Sequence, residues 1–382
     1  MLHVQSNADL YGASRMLLRW LKQVDRNRFE PLVVLQENGP LKDLIEKEHI
    51  EVILHPRMSV ITRQAFKAWH ILSFLRNYPF SVLFLWRLIR RRRIELVYSN
   101  TGVILSAALA ARLAGVPHVW HMREWFQEFQ TIWPAFSWYI RKFSCKIIAI
   151  SRAVASQFEP PGSAVVVHDG ISMDEFPVLR ETMRKRFRSA YGLGEDFVVG
   201  CVGRIKLVRK GQEVLVQAAG LLKQRGRPIK ALIVGAPFRG NESHLARLQE
   251  MARQLGIVEN VVFTGELADT CPAYAGMDVF TLTSVQPEPL GDVVMEAMAM
   301  ERPVIATNIG GPLDTVEPGK TGLLVAPGDP AALADAIEQL MGDPDLRLAM
   351  GKAGAERIRN QFSVVEMAQK LEQLFEEAIA TR

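Results

Sequence analysis

Short apolar runs alternate with amphipathic helical segments along the whole chain. Many of the runs are rich in Val and Ile and are flanked by Gly, Pro or Asp, as is typical of buried parallel strands. A first series of predicted strands comprises Met1–Gln5, Leu32–Leu35, Val52–Leu54, Leu96–Tyr98, His118–His121, Lys146–Ile150 and Ala164–Val167. A second series comprises Phe197–Val202, Lys230–Val234, Val261–Thr264, Val279–Leu282, Pro303–Ala306 and Gly322–Val325. Helical periodicity between the runs predicts helices such as Ala107–Ala114, Glu213–Gln224 and Ala331–Met341.

Strands that alternate with helices predict an α/β protein with parallel sheets. At 382 residues the chain is too long for one core, so we expect two doubly wound, Rossmann-like domains. The predicted domains cover residues 1–175 and 176–360, and a helix over residues 361–382 is expected to return to the first domain. Two such sheets facing each other would form a cleft at the carboxyl ends of their strands, where ligands bind in open α/β sheets.

The cysteine content and the hydropathy pattern bear on the compartment. Cys145, Cys201 and Cys271 lie far apart and are odd in number, so we expect a reducing cytoplasm rather than a disulfide framework. We expect neither a cleavable signal nor a membrane span. The segment that comes nearest to a span, Ile71–Ile89, is interrupted by Arg76, Asn77 and Arg87.

The most informative segment runs from Glu288 to Glu296 and reads EPLGDVVME. A predicted strand precedes it, Gly291 permits a turn, and a helix is expected to begin there with free N–H groups that form an anion site. Glu288 lies in the loop and Glu296 just over one turn into the helix, so both carboxylates can face one ligand. A carboxylate on this otherwise apolar helix is costly unless it is bound, which favours a binding role over a merely structural one.

A second candidate site follows the first strand of the second series. Gly203 and Arg204 come directly after that strand, and Lys210 and Gly211 open the next helix. Two cations six residues apart on such a turn suit a diphosphate, which Arg binds in bidentate fashion and Lys binds as a point charge. The alternative is a solvated basic turn, because two further cations lie between them.

Both segments resemble motifs of the family 4 glycosyltransferases, which have the GT-B fold. EPLGDVVMEAMA is similar to their E-x7-E element, and residues 203–211 are similar to their G-R-x5-K-G element. The resemblance covers nearly the whole chain in order and is strongest over residues 197–328. One departure is Glu301, where the family tends to have a Gly that ends the helix in a left-handed conformation, so Glu301 is expected to end it otherwise.

The resemblance implies a role for each candidate residue. Glu296 would hold the ribose hydroxyls of a sugar nucleotide, Glu288 would contact the donor sugar, and Arg204 and Lys210 would bind the donor phosphates. The backbone amides of four consecutive residues would hold sugar and diphosphate: Leu290, Gly291, Asp292 and Val293. Gly203 would turn the backbone beside the phosphates.

The amino-terminal half carries weaker similarities. Residues 10–15 resemble the glycine-rich loop after the first strand of the family, but the usual Gly-Gly pair is Tyr11-Gly12, so close backbone approach is expected at Gly12. His121 resembles a histidine that the family places beside the donor sugar at a strand end. A lone histidine can equally be a structural group, and the sequence leaves both roles open.

The implied activity is transfer of a sugar from a nucleoside diphosphate donor to a saccharide or lipid-linked saccharide, with retention of anomeric configuration, in cell-envelope or exopolysaccharide assembly. UDP-sugar is the first expectation for the donor and GDP-sugar the second. We expect no cofactor and no metal, because no D-x-D occurs at a plausible strand end and no His, Cys and carboxylate cluster has metal-ligand spacing. The alternative is a protein of the same fold that binds sugar nucleotides without turnover.

Two other classes of function fit the sequence poorly. A nicotinamide-dependent dehydrogenase would need G-x-G-x-x-G after its first strand, and this chain has none there. The run Arg90 to Arg93 suggests a nucleic-acid binder, but the net charge of +5 is too modest and no known module occurs. We therefore expect no nucleic-acid partner.

Positive charge is concentrated in the first half, where residues 1–180 hold 23 Lys and Arg against 15 Asp and Glu. Residues 52–94 contain no acidic residue, whereas a solvated face normally mixes both signs. Their basic side chains are interleaved with aromatic ones: Arg57, Arg63, Lys67, Arg76, Arg87 and Arg90 to Arg93, with Phe66, Trp69, Phe74, Tyr78, Phe80, Phe84 and Trp86. This pattern predicts a first domain that lies on the inner face of the cytoplasmic membrane without spanning it, where it meets a lipid-linked acceptor. The alternative is a set of core helices with a solvated basic face.

Overall fold

The structure is a computed structural model that describes residues 1–61, 68–126, 131–177, 180–238 and 240–381. Within these residues the chain forms two compact units, of which the first contains Met1–Gly170 and Val364–Arg382 and the second contains Ile171–Ser363. Each unit is built on one parallel sheet, and this confirms the predicted α/β class with two Rossmann-like domains.

The first unit holds a seven-stranded sheet. Its strands are β1 (Leu2–Gln5), β2 (Leu32–Leu35), β3 (Val52–Leu54), β4 (Val97–Ser99), β5 (His118–Met122), β6 (Lys146–Ala149) and β7 (Val165–Val166). Their order is β3-β2-β1-β4-β5-β6-β7, and all neighbours pair in parallel. From β1 the chain proceeds towards the β3 edge of the sheet, and from β4 it proceeds towards the β7 edge. The strand order thus reverses between β1 and β4, and the loops that leave these two strands diverge.

In the described part of the first unit, six helices connect the strands: α1 (Gly12–Gln23), α2 (Pro40–Lys47), α3 (Ala68–Arg91), α4 (Leu105–Ala114), α5 (Trp133–Phe143) and α6 (Arg152–Ala155). They cover both faces of the sheet. On β2, Val33 and Leu35 pack in one core with α1 and α2, while Leu32 and Val34 pack in another with α3 and α4. Because successive side chains of a strand point to opposite faces, α2 and α3 lie on opposite sides of the sheet.

The second unit holds a six-stranded parallel sheet of order β10-β9-β8-β11-β12-β13. Its strands are β8 (Val198–Val202), β9 (Lys230–Val234), β10 (Val261–Gly265), β11 (Val279–Leu282), β12 (Val304–Thr307) and β13 (Gly322–Val325). The helices of this unit are α7 (Arg180–Ala190), α8 (Leu207–Lys210), α9 (Gln212–Gln224), α10 (Glu242–Gln254), α11 (Cys271–Gly276), α12 (Asp292–Ala299), α13 (Pro312–Thr315), α14 (Pro330–Gly342) and α15 (Pro344–Gln361).

The last helix, α16 (Val364–Ala380), belongs to the first unit. Phe375 packs edge-on against Trp20, with ring centroids 5.8 Å apart, and Glu372 lies 3.0 Å from Nη1 of Arg28. The division between the units falls after Gly170, earlier than the predicted boundary at residue 175. The reason is that the N–H of Ile171 donates to the carbonyl of Phe362, which ties the segment after Gly170 to the second unit.

The end of α12 differs from the expectation for Glu301. This residue itself adopts the left-handed conformation, with φ of 55°, although it is not glycine. The N–H of Arg302 donates to the carbonyl of Ala297, which closes the helix as a Schellman motif. The Glu301 carboxylate lies 2.6 Å from Nη1 of Arg180, an ion pair that offsets part of the backbone strain.

None of the helices in the described part of the chain has both the length and the apolar character that a membrane crossing requires. Three residues of the predicted basic and aromatic segment, Arg63, Phe66 and Lys67, lie outside the described residues, and so does the side chain of Trp69. The rest of that segment forms the bulk of α3 and the turn that follows β3.

Candidate functional site

The candidate residues of the second unit lie on two neighbouring loops. The first connects β8 to α9 and contains Gly203, Arg204 and, at the end of its short helix α8, Lys210; the second follows β11 and contains Glu288. From β8 the chain proceeds towards the β10 edge of the sheet, and from β11 it proceeds towards the β13 edge. A crevice opens where such loops diverge outside the carboxyl ends of parallel strands, and this is the usual ligand site of the fold.

Lys210 and Glu288 form an ion pair between these two loops. Nζ of Lys210 lies 2.7 Å from Oε1 of Glu288, and the hydroxyl of Ser284 donates to the same oxygen over 2.8 Å. Burial alone would raise the pKa of Glu288, but the Lys210 ammonium, the Ser284 hydroxyl and the charge of Arg209 together hold this pKa below its usual value. Glu288 is therefore an ionised, buried carboxylate at neutral pH.

Further hydrogen bonds fix the backbones of the two loops to each other. The hydroxyl of Thr283 donates to the carbonyl of Lys210 over 2.9 Å, and the N–H of Val285 donates to the carbonyl of Arg209 over 2.8 Å. The position of Lys210 is consequently set by β11 as well as by its own loop.

The start of α12 depends on two glycines. Gly291 precedes the helix with φ of 87°, a left-handed conformation that side chains rarely adopt. A Cβ on Gly311 would come within 2.2 Å of Cα of Leu290, so only glycine fits there. The N–H of Gly311 also donates to the carbonyl of Glu288 over 2.7 Å. Asp292 and Val293 then form the first turn, as expected from the sequence.

Glu296 lies in the second turn of α12 and is only 7% exposed. The hydroxyl of the fully buried Tyr274 donates to Oε2 of Glu296 over 2.8 Å. This contact restricts the rotamers of Glu296. The arrangement suits a carboxylate that receives further hydroxyl donors from a ligand.

Arg204 is placed differently from Lys210. Its guanidinium lies over the ring of Phe238, 5.1 Å from the ring centroid, and its carbonyl accepts from Nε2 of Gln212 over 3.0 Å. Stacking on an aromatic face fixes the orientation of a guanidinium, and a guanidinium of fixed orientation suits bidentate binding of a phosphate.

Gly12 and His121 belong to the first unit. Gly12 begins α1, directly after the loop that follows β1. Nδ2 of Asn100, at the end of β4, donates to Oε1 of Gln5 and to the carbonyl of Ala13, each over 2.9 Å. The start of α1 is thereby held at the point where the strand order of the first sheet reverses.

His121 is fully buried on β5, with Nδ1 2.5 Å from the hydroxyl of Tyr98. Burial, together with the nearby charge of Arg123, lowers the pKa of His121 well below its ordinary value, so the imidazole is neutral at pH 7. Arg123 in turn forms a buried ion pair with Asp169 and donates to Oδ1 of Asn100 over 3.1 Å. His121 is thus one member of a buried polar network.

Several residues of these sites were missed by the sequence analysis: Tyr98, Asn100, Arg123, Tyr274, Thr283 and Ser284. Tyr274 lies on α11, before β11, and its contact with Glu296 depends on how α11 packs, which no spacing reveals. Ser284 and Thr283 directly follow a predicted strand, so their position at a strand end was the one available signal. Among the residues that the structure describes, no three His, Cys, Asp or Glu side chains gather closely enough to hold a metal ion.

Two family models match consecutive parts of the chain: Glycosyltransferase Family 4 over residues 11–175, and Glycosyl transferases group 1 over residues 183–357. The chain belongs to the family 4 glycosyltransferases. The second match contains both candidate loops of the second unit, and the first contains Gly12 and His121.

The chain spans about half the length of the curated relatives that it matches. A GDP-mannose-dependent alpha-(1-6)-phosphatidylinositol monomannoside mannosyltransferase of Mycobacterium tuberculosis is 36% identical over 57% of this chain and 57% of its own. The capsular polysaccharide biosynthesis glycosyltransferase CapM of Staphylococcus aureus is 32% identical over 54% and 52%, respectively. The crystal structure of Anabaena Alr3699/HepE in complex with UDP and glucose matches with a TM-score of 0.82 and 26% identity over 98% of both chains.

Proposed function

We propose that this protein transfers a sugar from a nucleoside diphosphate donor to a saccharide or lipid-linked saccharide, with retention of anomeric configuration. The observation that carries the proposal is the ion pair of Lys210 and Glu288 at the reversal point of the second sheet. It presents a cation and an ionised carboxylate beside the start of α12, the combination that a diphosphate and the hydroxyls of a sugar require.

The proposed reaction is a substitution on one face of the donor sugar. The bond between the anomeric carbon and the diphosphate oxygen breaks, and its electron pair leaves with the diphosphate. The acceptor oxygen bonds to the same face of the anomeric carbon, and its proton passes to the departing phosphate oxygen. No side chain of the protein need form a covalent intermediate.

The chain's own residues act on the charges that develop. Lys210, Arg204 and the first N–H groups of α12 stabilise the growing charge on the leaving diphosphate, without a metal or a cofactor. Glu288 accepts hydrogen bonds from donor-sugar hydroxyls, and Glu296 accepts them from the ribose. The contact of His121 with the donor sugar stays a prediction from the family resemblance.

For the donor, we propose a UDP-sugar first and a GDP-sugar second. The Anabaena structure holds UDP, and the mycobacterial relative is named for GDP-mannose, so both bases occur among similar proteins. The names of the mycobacterial and staphylococcal relatives refer to a phosphatidylinositol mannoside and to capsule. These names support a cell-envelope or exopolysaccharide acceptor, met by a cytoplasmic protein on the inner face of the membrane.

The first experiment is thermal unfolding with a panel of UDP- and GDP-sugars, with the free sugars as controls. A ligand at a hundred times its dissociation constant adds about 2.7 kcal/mol to the free energy of unfolding. If no nucleotide raises the unfolding temperature, the proposal is wrong. Binding without release of nucleoside diphosphate in the presence of a pool of acceptors would instead indicate a protein that binds sugar nucleotides without turnover.

Two further measurements test the mechanism. The anomeric configuration of the product, determined by NMR, should be that of the donor, and an inverted product would refute transfer on one face. Activity should be unchanged by a chelator. Activity that is lost in chelator and restored by a divalent ion would show that the reaction uses a metal.

A further inference from the structure

A depression of about 390 Å³ lies on the surface of the first unit. It is formed where α3 passes the turn after the edge strand β3. Arg57 comes from the turn, and the helix contributes Phe80, Leu83, Arg87 and Arg91. Three cations and an apolar wall therefore share one concave surface.

The three arginines carry positive charge that no carboxylate offsets. In the described part of the chain, no ion pair involves Arg57, Arg87 or Arg91, whereas the adjacent Arg92 pairs with Glu51. No acidic residue occurs between positions 52 and 94, the interval that supplies all three arginines. Like charges that converge without a counterion favour an anionic ligand with several acceptor oxygens.

The floor of the depression is aromatic. The imidazole of His55 stacks on the ring of Phe84, with centroids 4.0 Å apart and planes 3° apart. Burial and the charge of Arg57 lower the pKa of His55, so its ring is neutral at pH 7 and adds surface rather than charge. Among the residues that the structure describes, the arginines are thus the only cations that line the depression.

An apolar stripe of α3 leads away from the depression. Phe80 and Leu83 are 53% and 41% exposed, and Leu72 and Leu75, one to two turns earlier, are 61% and 58% exposed. Positions 72, 75, 76, 79, 80, 83 and 87 recur at helical spacing, so they form one exposed face. This face is mainly apolar at its start and basic at its end. A contiguous exposed apolar face of this kind marks a surface that meets an apolar partner.

We propose that the depression binds the phosphate of an anionic phospholipid, with Arg57, Arg87 and Arg91 around the headgroup and the stripe of Leu72, Leu75, Phe80 and Leu83 against the acyl region. A nucleic acid would satisfy the arginines but would leave the apolar stripe in water, which favours a lipid. The inference rests on the membrane attachment included in the proposed function, and it assigns that attachment to one pocket and one class of headgroup.

The test is sedimentation of the full chain with vesicles of phosphatidylcholine alone and of phosphatidylcholine mixed with phosphatidylglycerol. The unmodified protein should bind the mixed vesicles preferentially, and salt should weaken the binding. Arg87→Gln and Arg57→Gln should each reduce the partition coefficient for the mixed vesicles about fivefold, the effect of removing one basic residue from an anionic surface. Equal binding to both kinds of vesicle would overturn the proposal.

A matched control separates the pocket from net charge. Lys47→Gln removes one positive charge from the exposed end of α2, on the opposite side of the sheet from α3. It should leave the partition coefficient nearly unchanged. If Lys47→Gln weakens binding as much as Arg87→Gln does, the attraction depends on total charge and the pocket has no special role.

A second variant tests the apolar part of the surface. Phe80→Ser should reduce partition into the mixed vesicles roughly tenfold while leaving the salt dependence intact, because it removes burial but no charge. Displacement of the vesicles by an oligonucleotide that binds Phe80→Ser as tightly as the unmodified protein would identify a different ligand and refute the lipid.

Thermal unfolding of the same variants with sugar nucleotides tests the proposed transferase separately from the proposed lipid site. The Arg57, Arg87 and Phe80 variants should keep the nucleotide-dependent increase in unfolding temperature, which also shows that they fold. A protein that prefers phosphatidylglycerol but responds to no nucleotide would retain the lipid site and lose the proposed transferase activity. The opposite result would retain the transferase and remove the lipid site.

Discussion

The ammonium of Lys210 lies 2.7 Å from Oε1 of Glu288. Lys210, a candidate phosphate-binding residue, is therefore held in place by a buried carboxylate on the neighbouring loop. Lys210→Ala should therefore remove a charge from the leaving diphosphate and also leave Glu288 without its counterion. We expect kcat/KM to fall by about 10²–10³, the range for losing one charge-stabilising group. Lys320→Ala, an exposed lysine of the same unit that pairs with Glu317, is the matched control and should retain activity. Equal activity of both variants would remove Lys210 from the site.

The depressed pKa of Glu288 gives the protein a stability that depends on pH. Its folded pKa lies below the ordinary value of 4.5, so the stabilisation is fully present above pH 4.5 and is lost as the pH falls from there through the folded pKa. The difference in free energy of unfolding between the unmodified protein and Glu288→Gln should shrink over that interval. Denaturant titrations at pH 6 and at successively lower pH measure it. A difference that stays constant would mean that Glu288 is not ionised in the folded protein.

The hydrogen bond from Tyr274 to Glu296 predicts that substitutions of the two residues weaken nucleotide binding to different extents. Glu296→Ala should abolish ribose recognition, so that calorimetry finds equal, weak binding of a nucleoside diphosphate and its 2′,3′-dideoxy analogue. Tyr274→Phe removes only the hydroxyl that positions the carboxylate, and the dissociation constant should rise about 5- to 30-fold, equivalent to about 1–2 kcal/mol. Unchanged discrimination between the two ligands in Glu296→Ala would place the ribose elsewhere.

Buried neutral histidines make the first unit sensitive to acid. Burial lowers the pKa of His118 to about 3, so the unfolded chain takes up a proton below pH 6.5 while the folded chain does not. Stability should fall as the pH drops below 6.5, by at most about 1.4 kcal/mol per pH unit for this residue. His118→Asn should flatten the dependence between pH 7 and pH 5. The exposed His49 provides the comparison, and His49→Asn should leave the slope unchanged.

The left-handed conformation of Glu301 can be tested against its ion pair with Arg180. Glu301→Gly removes the carboxylate and relieves the backbone, whereas Glu301→Ala removes the carboxylate and keeps the strain. The glycine variant should exceed the alanine variant in free energy of unfolding by about 1 kcal/mol. Equal stability of the two variants would show that the end of α12 relaxes into another conformation.

The strands were predictable because a parallel sheet is buried on both faces, so that each strand appears in the sequence as a short run of apolar residues. Runs such as Leu32–Leu35 and Val279–Leu282 were placed with their observed bounds. Ends such as those of β4 shifted by one residue, because they depend on which backbone groups pair across the sheet and not on hydropathy. The boundary after Gly170 was missed for the same reason, since it is set by a hydrogen bond to Phe362 far along the chain.

The candidate site was predictable only in part. Sequence patterns placed the motifs of Lys210 and Glu288 each after a strand, but they could not indicate that the two strands are neighbours, that the two residues pair or that Ser284 joins them. The hydrogen-bond partners of His121 could not be predicted from the sequence either. Tyr98 and Arg123 can be recognised as its partners only when β4 and β5 are known to be adjacent. The catalytic roles assigned to these residues remain predictions.

The place of α16 in the first core has a consequence for how the chain is synthesised. Phe375 packs against Trp20, Phe29 and Tyr98, so the aromatic centre of the first unit contains a residue that leaves the ribosome only after the whole second unit. The second unit is continuous in sequence and has no such requirement. Synthesis of the first unit therefore begins before that of the second and is completed after it, and until α16 emerges one apolar side of the first sheet must be kept from aggregating.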